Sequence, residues 1–233
     1  MRFSTDFLNC MDEEQIKKYQ EKLLRRQVSY CYNNSEYYRK KFREVGADPN
    51  DINSLEDLRK LPVMMTKQEE RESQKESLDR FGHPFGMHLC CKLEDLELTA
   101  TTSGTTGTPT FTYTFTKEDL YKEQAKNWAH MLDYGCVKPG DRVLFCYALG
   151  VYATTMILPG IRSHGALPID VDIRGGSEMI LKFAELTKAT AAYMTPSLSE
   201  YLIDKTPKAI GKSVAELGIR KLFLTGEPAM NIP

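Results

Sequence analysis

The sequence predicts an α/β fold: a helical amino-terminal segment over residues 1–95, then a mostly parallel sheet with helices on both faces over 96–233. Three observations predict it. Residues 11–81 carry apolar positions at helical spacing between charged residues and capping motifs. From residue 142 onward, short apolar runs alternate with amphipathic stretches across brief connections, the pattern of right-handed strand–helix–strand crossovers. Between these regions, residues 98–115 are β-prone but interrupted by glycines and hydroxyls.

The elements follow in order. Met11 to Cys31 reads as an amphipathic helix, with Asp12, Glu13 and Glu14 favourably placed in its first turn. Ser35 caps a second helix, Glu36 to Val45, ended by Gly46. Residues 48–51 form a turn. Ser54 caps a short helix from Leu55 to Leu61, stopped by Pro62, and Thr66 with Glu69 forms the capping box of another short helix. The charged stretch Arg71 to Phe81 reads as a solvated helix end or loop. Thr116 caps a helix running to Tyr134, closed by Gly135 and the turn Lys138-Pro139-Gly140-Asp141. Arg142 to Ala148 is almost continuously apolar, as a strand buried on both faces would be. Helix Ala153–Ser163, strand Ala166–Val171, helix Glu178–Leu186 capped by Ser177, strand Thr190–Thr195, helix Pro196–Ile203 and strand Ile219–Thr225 complete the chain.

Composition excludes several function classes. Lys and Arg number 31 against 32 Asp and Glu, a formal net charge of −1, so nothing directs the chain to nucleic acid or an anionic membrane surface. Hydrophobic residues make up 41%, ordinary for a globular protein, and no apolar run is long enough to span a bilayer. The start has one basic residue and no apolar core behind it, so a cytoplasmic address is expected. No two of the six cysteines form a C-x-x-C pair, and a disulfide framework is not expected. His83, His88, Cys90 and Cys91 cluster, but their spacing fits no standard zinc pattern, and no metal ligand is assigned.

The most informative stretch is Thr101-Thr102-Ser103-Gly104-Thr105-Thr106-Gly107-Thr108-Pro109-Thr110. Glycines at 104 and 107 let backbone N–H groups turn inward, and the surrounding hydroxyls add donors, so the loop suits a polyphosphate. The alternative is a hairpin turn with glycine at its bends. It is no Walker loop, because Thr108 stands where Lys would follow and a strand, not a helix, comes next. In parallel sheets, ligands sit beyond the carboxyl ends of the strands. Those ends are Tyr147-Ala148-Leu149-Gly150-Val151-Tyr152, Asp172-Ile173-Arg174-Gly175-Gly176, Thr195-Pro196-Ser197 and Thr225-Gly226-Glu227-Pro228. Each also reads as ordinary packing or turn chemistry.

Thr102 to Pro109 resembles the signature loop of the adenylate-forming superfamily, Ser/Thr-Ser-Gly-Thr-Thr-Gly-x-Pro, at every specified position. Thr110 replaces the usual closing Lys, a departure shared by the phenylacetate–CoA ligases. Leu58 to Lys67 is similar to that branch's entry into the signature loop, so the resemblance covers nearly the whole chain. It implies ATP-dependent conversion of a carboxylic acid, aryl in this branch, to an acyl-adenylate, then transfer to coenzyme A. It implies that Thr102, Ser103, Gly104, Thr105, Thr106 and Gly107 hold the ATP phosphates, with Mg²⁺ bridging them. Thr225, Gly226, Glu227 and Pro228 match the Gly-Ala-Glu-Pro stretch that lines the adenine and ribose pocket, with Thr225 and Gly226 replacing Gly-Ala. Tyr147 and Tyr152 match an aromatic pair flanking the acid, with Ala148 and Leu149 replacing Gly-Tyr. Gly175 and Gly176 match a Gly-Gly that approaches the acid.

The resemblance further implies that the acidic Mg²⁺ ligand, the ribose Asp and the catalytic Lys lie beyond Pro233. The expectation is therefore an incomplete large domain, inactive by itself. The implied partners are a small carboxylic acid, ATP and coenzyme A, with a homodimer left open. The competing expectations are a non-catalytic nucleotide- or acyl-binding fragment, or an interaction domain whose hydroxyl loop is only a turn.

Overall fold

The structure is a computed structural model and describes residues 10–101, 113–148 and 154–228. The chain divides into two units, one ending at Lys117 and one beginning at Glu118.

In the first unit, helix α1 (Glu13–Asn34) starts at Asp12, whose carboxylate accepts the Gln15 N–H at 2.8 Å while the Gln15 side chain accepts the Asp12 N–H at 3.0 Å. Ser35 closes it and caps α2 (Glu36–Glu44). A 3₁₀ turn (Pro49–Asp51) and α3 (Leu55–Lys60), held by a Ser54–Asp57 capping box, follow. Val28, Phe42 and Ile52 form a small core between these pieces.

Helix α4 (Lys67–Phe81) departs from expectation. The charged residues 71–81 continue a single helix of 15 residues. Its buried face is made of polar residues. Ser73 accepts the Met87 N–H at 2.7 Å and contacts His88 Nδ1 at 3.1 Å, and Ser77 donates to the His83 carbonyl at 2.7 Å. Small hydroxyls anchor the 83–88 loop where an apolar stripe would be sought, so hydropathy misses the buried face. The antiparallel pair β1 (Leu96–Ala100) and β2 (Tyr113–Thr116) completes the unit, with Leu96 opposite Thr116 and Ala100 opposite Tyr113.

The second unit opens with a π-helical turn, Asp119–Gln124, running into α5 (Ala125–Tyr134). Strands β3 (Arg142–Phe145), β4 (Leu167–Asp170), β5 (Ala191–Met194) and β6 (Lys221–Leu224) form one sheet of order β4-β3-β5-β6. Every pairing in it is parallel. Helices α6 (Thr154–His164), α7 (Ser177–Thr187) and α8 (Pro196–Ile210) make the connections. Alternate side chains leave opposite faces. Val143, Phe145, Ala191 and Tyr193 pack with Leu132 of α5 and with Ile157 and Ile161 of α6. Leu144, Ala192 and Met194 pack with Ile180, Leu181 and Ala184 of α7 and Leu202 of α8. Helices therefore cover both faces.

The strands are shorter than the sequence reading has them, and two helix ends also differ. Gly176, at φ +84°, is the cap of α7, and Ser177 is its first helical residue. Helix α8 runs past Ile203 to Ile210, because the Pro207 carbonyl still accepts a bond from Gly211, whose left-handed φ of +70° ends the helix.

The amino-terminal edge of the sheet is tied at Asp141. Its carboxylate accepts the Thr190 hydroxyl and the Lys138 N–H, each at 2.7 Å, and pairs with the Lys221 ammonium. Its backbone carbonyl accepts the Leu167 N–H at 2.8 Å. One residue thus touches the starts of all four strands. Burial opposes ionisation of this carboxyl, but Lys221, Thr190 and the Lys138 N–H hold it well below the usual carboxylate range.

Candidate functional site

At the opposite edge, β3 runs into Cys146, whose N–H donates to the Tyr193 carbonyl at 2.9 Å. That bond keeps the next residue at the sheet, and the Tyr147 ring packs on Phe145 and Tyr193 at centroid distances of 5.5 and 6.0 Å. The Tyr147 hydroxyl crosses the end of β5 and donates to the Thr225 carbonyl at 2.9 Å. Burial pushes this phenol well above its ordinary pKa, so it remains a neutral donor.

Thr225 follows β6 and donates its N–H to the Met194 carbonyl at 3.3 Å. Gly226 then turns with φ +97°, a conformation that disfavours any side chain. A Cβ there would also sit 3.4 Å from the Thr195 methyl. The turn delivers Glu227 to the amino end of α8, where its carboxylate accepts the Ser197 N–H at 2.7 Å. Hydrogen bonds from the Ser197 hydroxyl, the Ser197 N–H and the Thr195 hydroxyl hold the Glu227 carboxyl below its ordinary range. Glu227 therefore serves as a second cap beside Thr195, whose hydroxyl accepts the Leu198 N–H at 3.3 Å. Thr225 to Pro228 remain exposed, and Gly226 leaves bare backbone there. A flat, polar ligand such as a purine can lie against such a strip.

Beyond β4, Asp172 accepts the Arg174 N–H at 2.8 Å and caps a 3₁₀ turn, Ile173–Gly175. Gly175 and Gly176 lead into α7 outside this edge strand, and the nearest atoms to a Cβ at Gly175 belong to Met179. The structure thus brings Tyr147, Thr225 and Glu227 into one connected group. Among the described residues, no contact joins Gly175 or Gly176 to it. Tyr152 and the loop residues Thr102, Ser103, Gly104, Thr105, Thr106 and Gly107 lie outside the described residues. Among the described residues, no cluster of three His, Cys, Asp or Glu side chains is arranged to hold a metal ion.

Thr195 and Ser197 are the residues that sequence reasoning left without a role. Thr-Pro at 195–196 signals a helix start at a strand end. That its partner is an acid thirty residues further on has no local signal.

No family profile matches the chain. Among curated proteins, the phenylacetate–coenzyme A ligase of Thermus thermophilus is 29% identical over 222 residues, 95% of this chain and 46% of that protein. The Escherichia coli phenylacetate–coenzyme A ligase is 26% identical over 233 residues, 96% of this chain and 48% of the relative. Among solved structures, a 2-hydroxyisobutyryl-CoA ligase in complex with 2-HIB-AMP and CoA superposes with a TM-score of 0.82 at 26% identity. That match covers 94% of this chain and 45% of the other.

The chain is similar to the phenylacetate–CoA ligases of the adenylate-forming superfamily over nearly its whole length.

It spans about half the length of the curated relatives it matches, and fits their amino-terminal half. In this ligase-like chain, the connected group lies at the carboxyl edge of the parallel sheet, where α/β folds place ligands.

Proposed function

We propose that the complete protein uses ATP to activate a carboxylic acid, aryl in preference to short aliphatic, as an acyl-adenylate, and then passes the acyl group to coenzyme A. The observation that carries this reading is the hydrogen bond from Tyr147 to the Thr225 carbonyl. It links the residue assigned to the acid with the strip assigned to the nucleotide. The acid carboxylate attacks the α-phosphorus, pyrophosphate leaves, and a thiol then displaces AMP from the mixed anhydride. The chain's part is positioning. Thr225, Gly226 and Pro228 would form the wall for adenine and ribose, with Glu227 fixing that wall to α8. Tyr147 and Tyr152 would flank the acid, and Gly175 and Gly176 would let backbone approach it. Thr102 to Gly107 would hold the phosphates, with Mg²⁺ among their oxygens.

The segment 96–233 would supply these contacts, and 1–95 would pack as a helical support. Activity is assigned to the complete protein, in the cytoplasm, and residues 1–233 alone are expected to be inactive. The test is acid-dependent exchange of labelled pyrophosphate into ATP across aryl and aliphatic acids, with wild type, Ser103→Ala and Tyr152→Ala. Ser103→Ala should lower exchange about tenfold or more. Tyr152→Ala should erode the aryl preference more than ATP binding. Exchange independent of any acid, or Ser103→Ala at full activity, would overturn the proposal.

A further inference from the structure

Acid activation as proposed uses no thiol of the first unit, yet that unit brings two together. Tyr30 donates its hydroxyl to the Cys90 carbonyl at 2.8 Å, and Ser35 donates to the Met87 carbonyl at 3.1 Å. These bonds lay the 87–90 backbone along the end of α1, which carries Cys31. The Tyr30 bond sets Cys90 beside the turn of α1 that carries Cys31, and each thiol shifts the ionisation of the other. Gln27 Nε2 adds a second donor to Cys31 Sγ at 3.2 Å, while Cys90 Sγ lies 3.3 Å from the His88 carbonyl. Both cysteines are partly buried and reachable, whereas Cys146 is fully buried and Cys10 and Cys136 are exposed.

We propose that Cys31 and Cys90 form an oxidisable pair that a peroxide converts to a disulfide, with Cys31 as the attacking sulfur and Cys90 as the resolving one. The Cys31 thiolate attacks one peroxide oxygen, the O–O bond breaks, and hydroxide leaves, giving a sulfenic acid. The Cys90 sulfur then attacks Cys31 Sγ, and the S–O bond breaks. The Cys90 proton and the departing hydroxyl leave as water. The two thiols lose two electrons and the peroxide gains them. The neighbouring Cys90, opposed by burial and aided by Gln27, brings the Cys31 thiol down to about 7, the direction that favours its thiolate. Its pairing with Cys31, together with burial, pushes the Cys90 thiol up, as suits a group that waits to resolve. The product would join α1 covalently to the segment leading into β1.

The test treats the reduced full protein with limiting hydrogen peroxide, blocks remaining thiols with iodoacetamide and maps peptides without reduction. A Cys31–Cys90 link that dithiothreitol removes is expected to dominate. Cys90→Ser should leave a Cys31 sulfenic acid that dimedone captures. In unmodified wild type, Cys31 should alkylate at neutral pH about five- to tenfold faster than exposed Cys136. That measurement needs no variant to fold. Oxidation confined to Cys10 and Cys136, a dominant Cys31–Cys91 link, or alkylation of Cys31 no faster than Cys136 would each overturn the proposal.

Discussion

The two edges of the parallel sheet are built on opposite principles. At the amino edge, Asp141 uses nearly all its acceptor capacity within the protein and bonds to the starts of four strands. At the carboxyl edge, Tyr147 and Glu227 each spend one polar group on the frame, while the residues between them stay exposed. One edge is closed and buys rigidity; the other is braced from both sides and left open. The difference teaches where to look for function in such a sheet: not at the most saturated polar network, but at the one whose anchors hold bare backbone toward solvent.

The largest expected effect belongs to the closed edge. Asp141→Ala removes one partner of a mostly buried ion pair and strands the Thr190 hydroxyl, and should cost about 3 kcal/mol in urea unfolding. In the complete protein, the proposed acid-activating activity per folded molecule should change less than twofold. A loss of activity larger than the folded fraction explains would break the contrast between the edges.

Acid comes next. The Asp141 carboxyl titrates lower in the folded chain than in the unfolded one. Its stabilisation is therefore complete above the unfolded value of about 4 and is lost as pH falls toward the lower folded value. Urea midpoints measured from pH 5 down to 2.5 should fall more steeply for wild type than for Asp141→Ala. Parallel slopes would mean that other carboxylates govern acid unfolding.

At the open edge, Glu227→Gln should loosen the turn over α8 while leaving the unfolding midpoint nearly unchanged. In the complete protein, adenylation should drop about tenfold, mostly as a raised KM for ATP. An unchanged KM would show that the Glu227–Ser197 bond only caps the helix.

The smallest effect sharpens the comparison most. Tyr147→Phe removes only the hydroxyl bonded to Thr225, worth about 1 kcal/mol, and should raise the KM for ATP about fivefold. If it instead lowers stability as much as Asp141→Ala does, the carboxyl edge is structural as well.

The alternation of strands and helices was readable because each apolar run from Arg142 onward is short and bracketed by turn residues. The caps at Ser35, Ser54 and Thr66 are readable because they are local, whereas Asp12, expected in the first turn of α1, is its cap. Helix α4 was not read in full, since its buried face carries Glu70, Ser73 and Ser77, which look solvated by composition. Strand ends were read too long because Cys146, Tyr147 and Thr225 retain strand-like residue types after the ladder ends. At the candidate site, Tyr147 and Glu227 could be named from resemblance, but not their partners. Tyr147 and Thr225 lie 78 residues apart, and Ser197 and Glu227 lie 30 apart. Such pairings are products of topology and leave no spacing to detect.

The sheet order also sets a schedule. β3 stands between β4 and β5, so its two sides are covered at different times as the chain leaves the ribosome. β4 emerges first and pairs across the shorter loop; β5 must wait for α7 and the turn before it. Until Ala191–Met194 arrives, one side of Val143, Leu144 and Phe145, all fully buried in the finished unit, presents an unpaired ladder. The interval between synthesis of β4 and of β5 is thus when a nascent chain is most prone to pair with a neighbour, and slowing translation there should raise the share lost to aggregation.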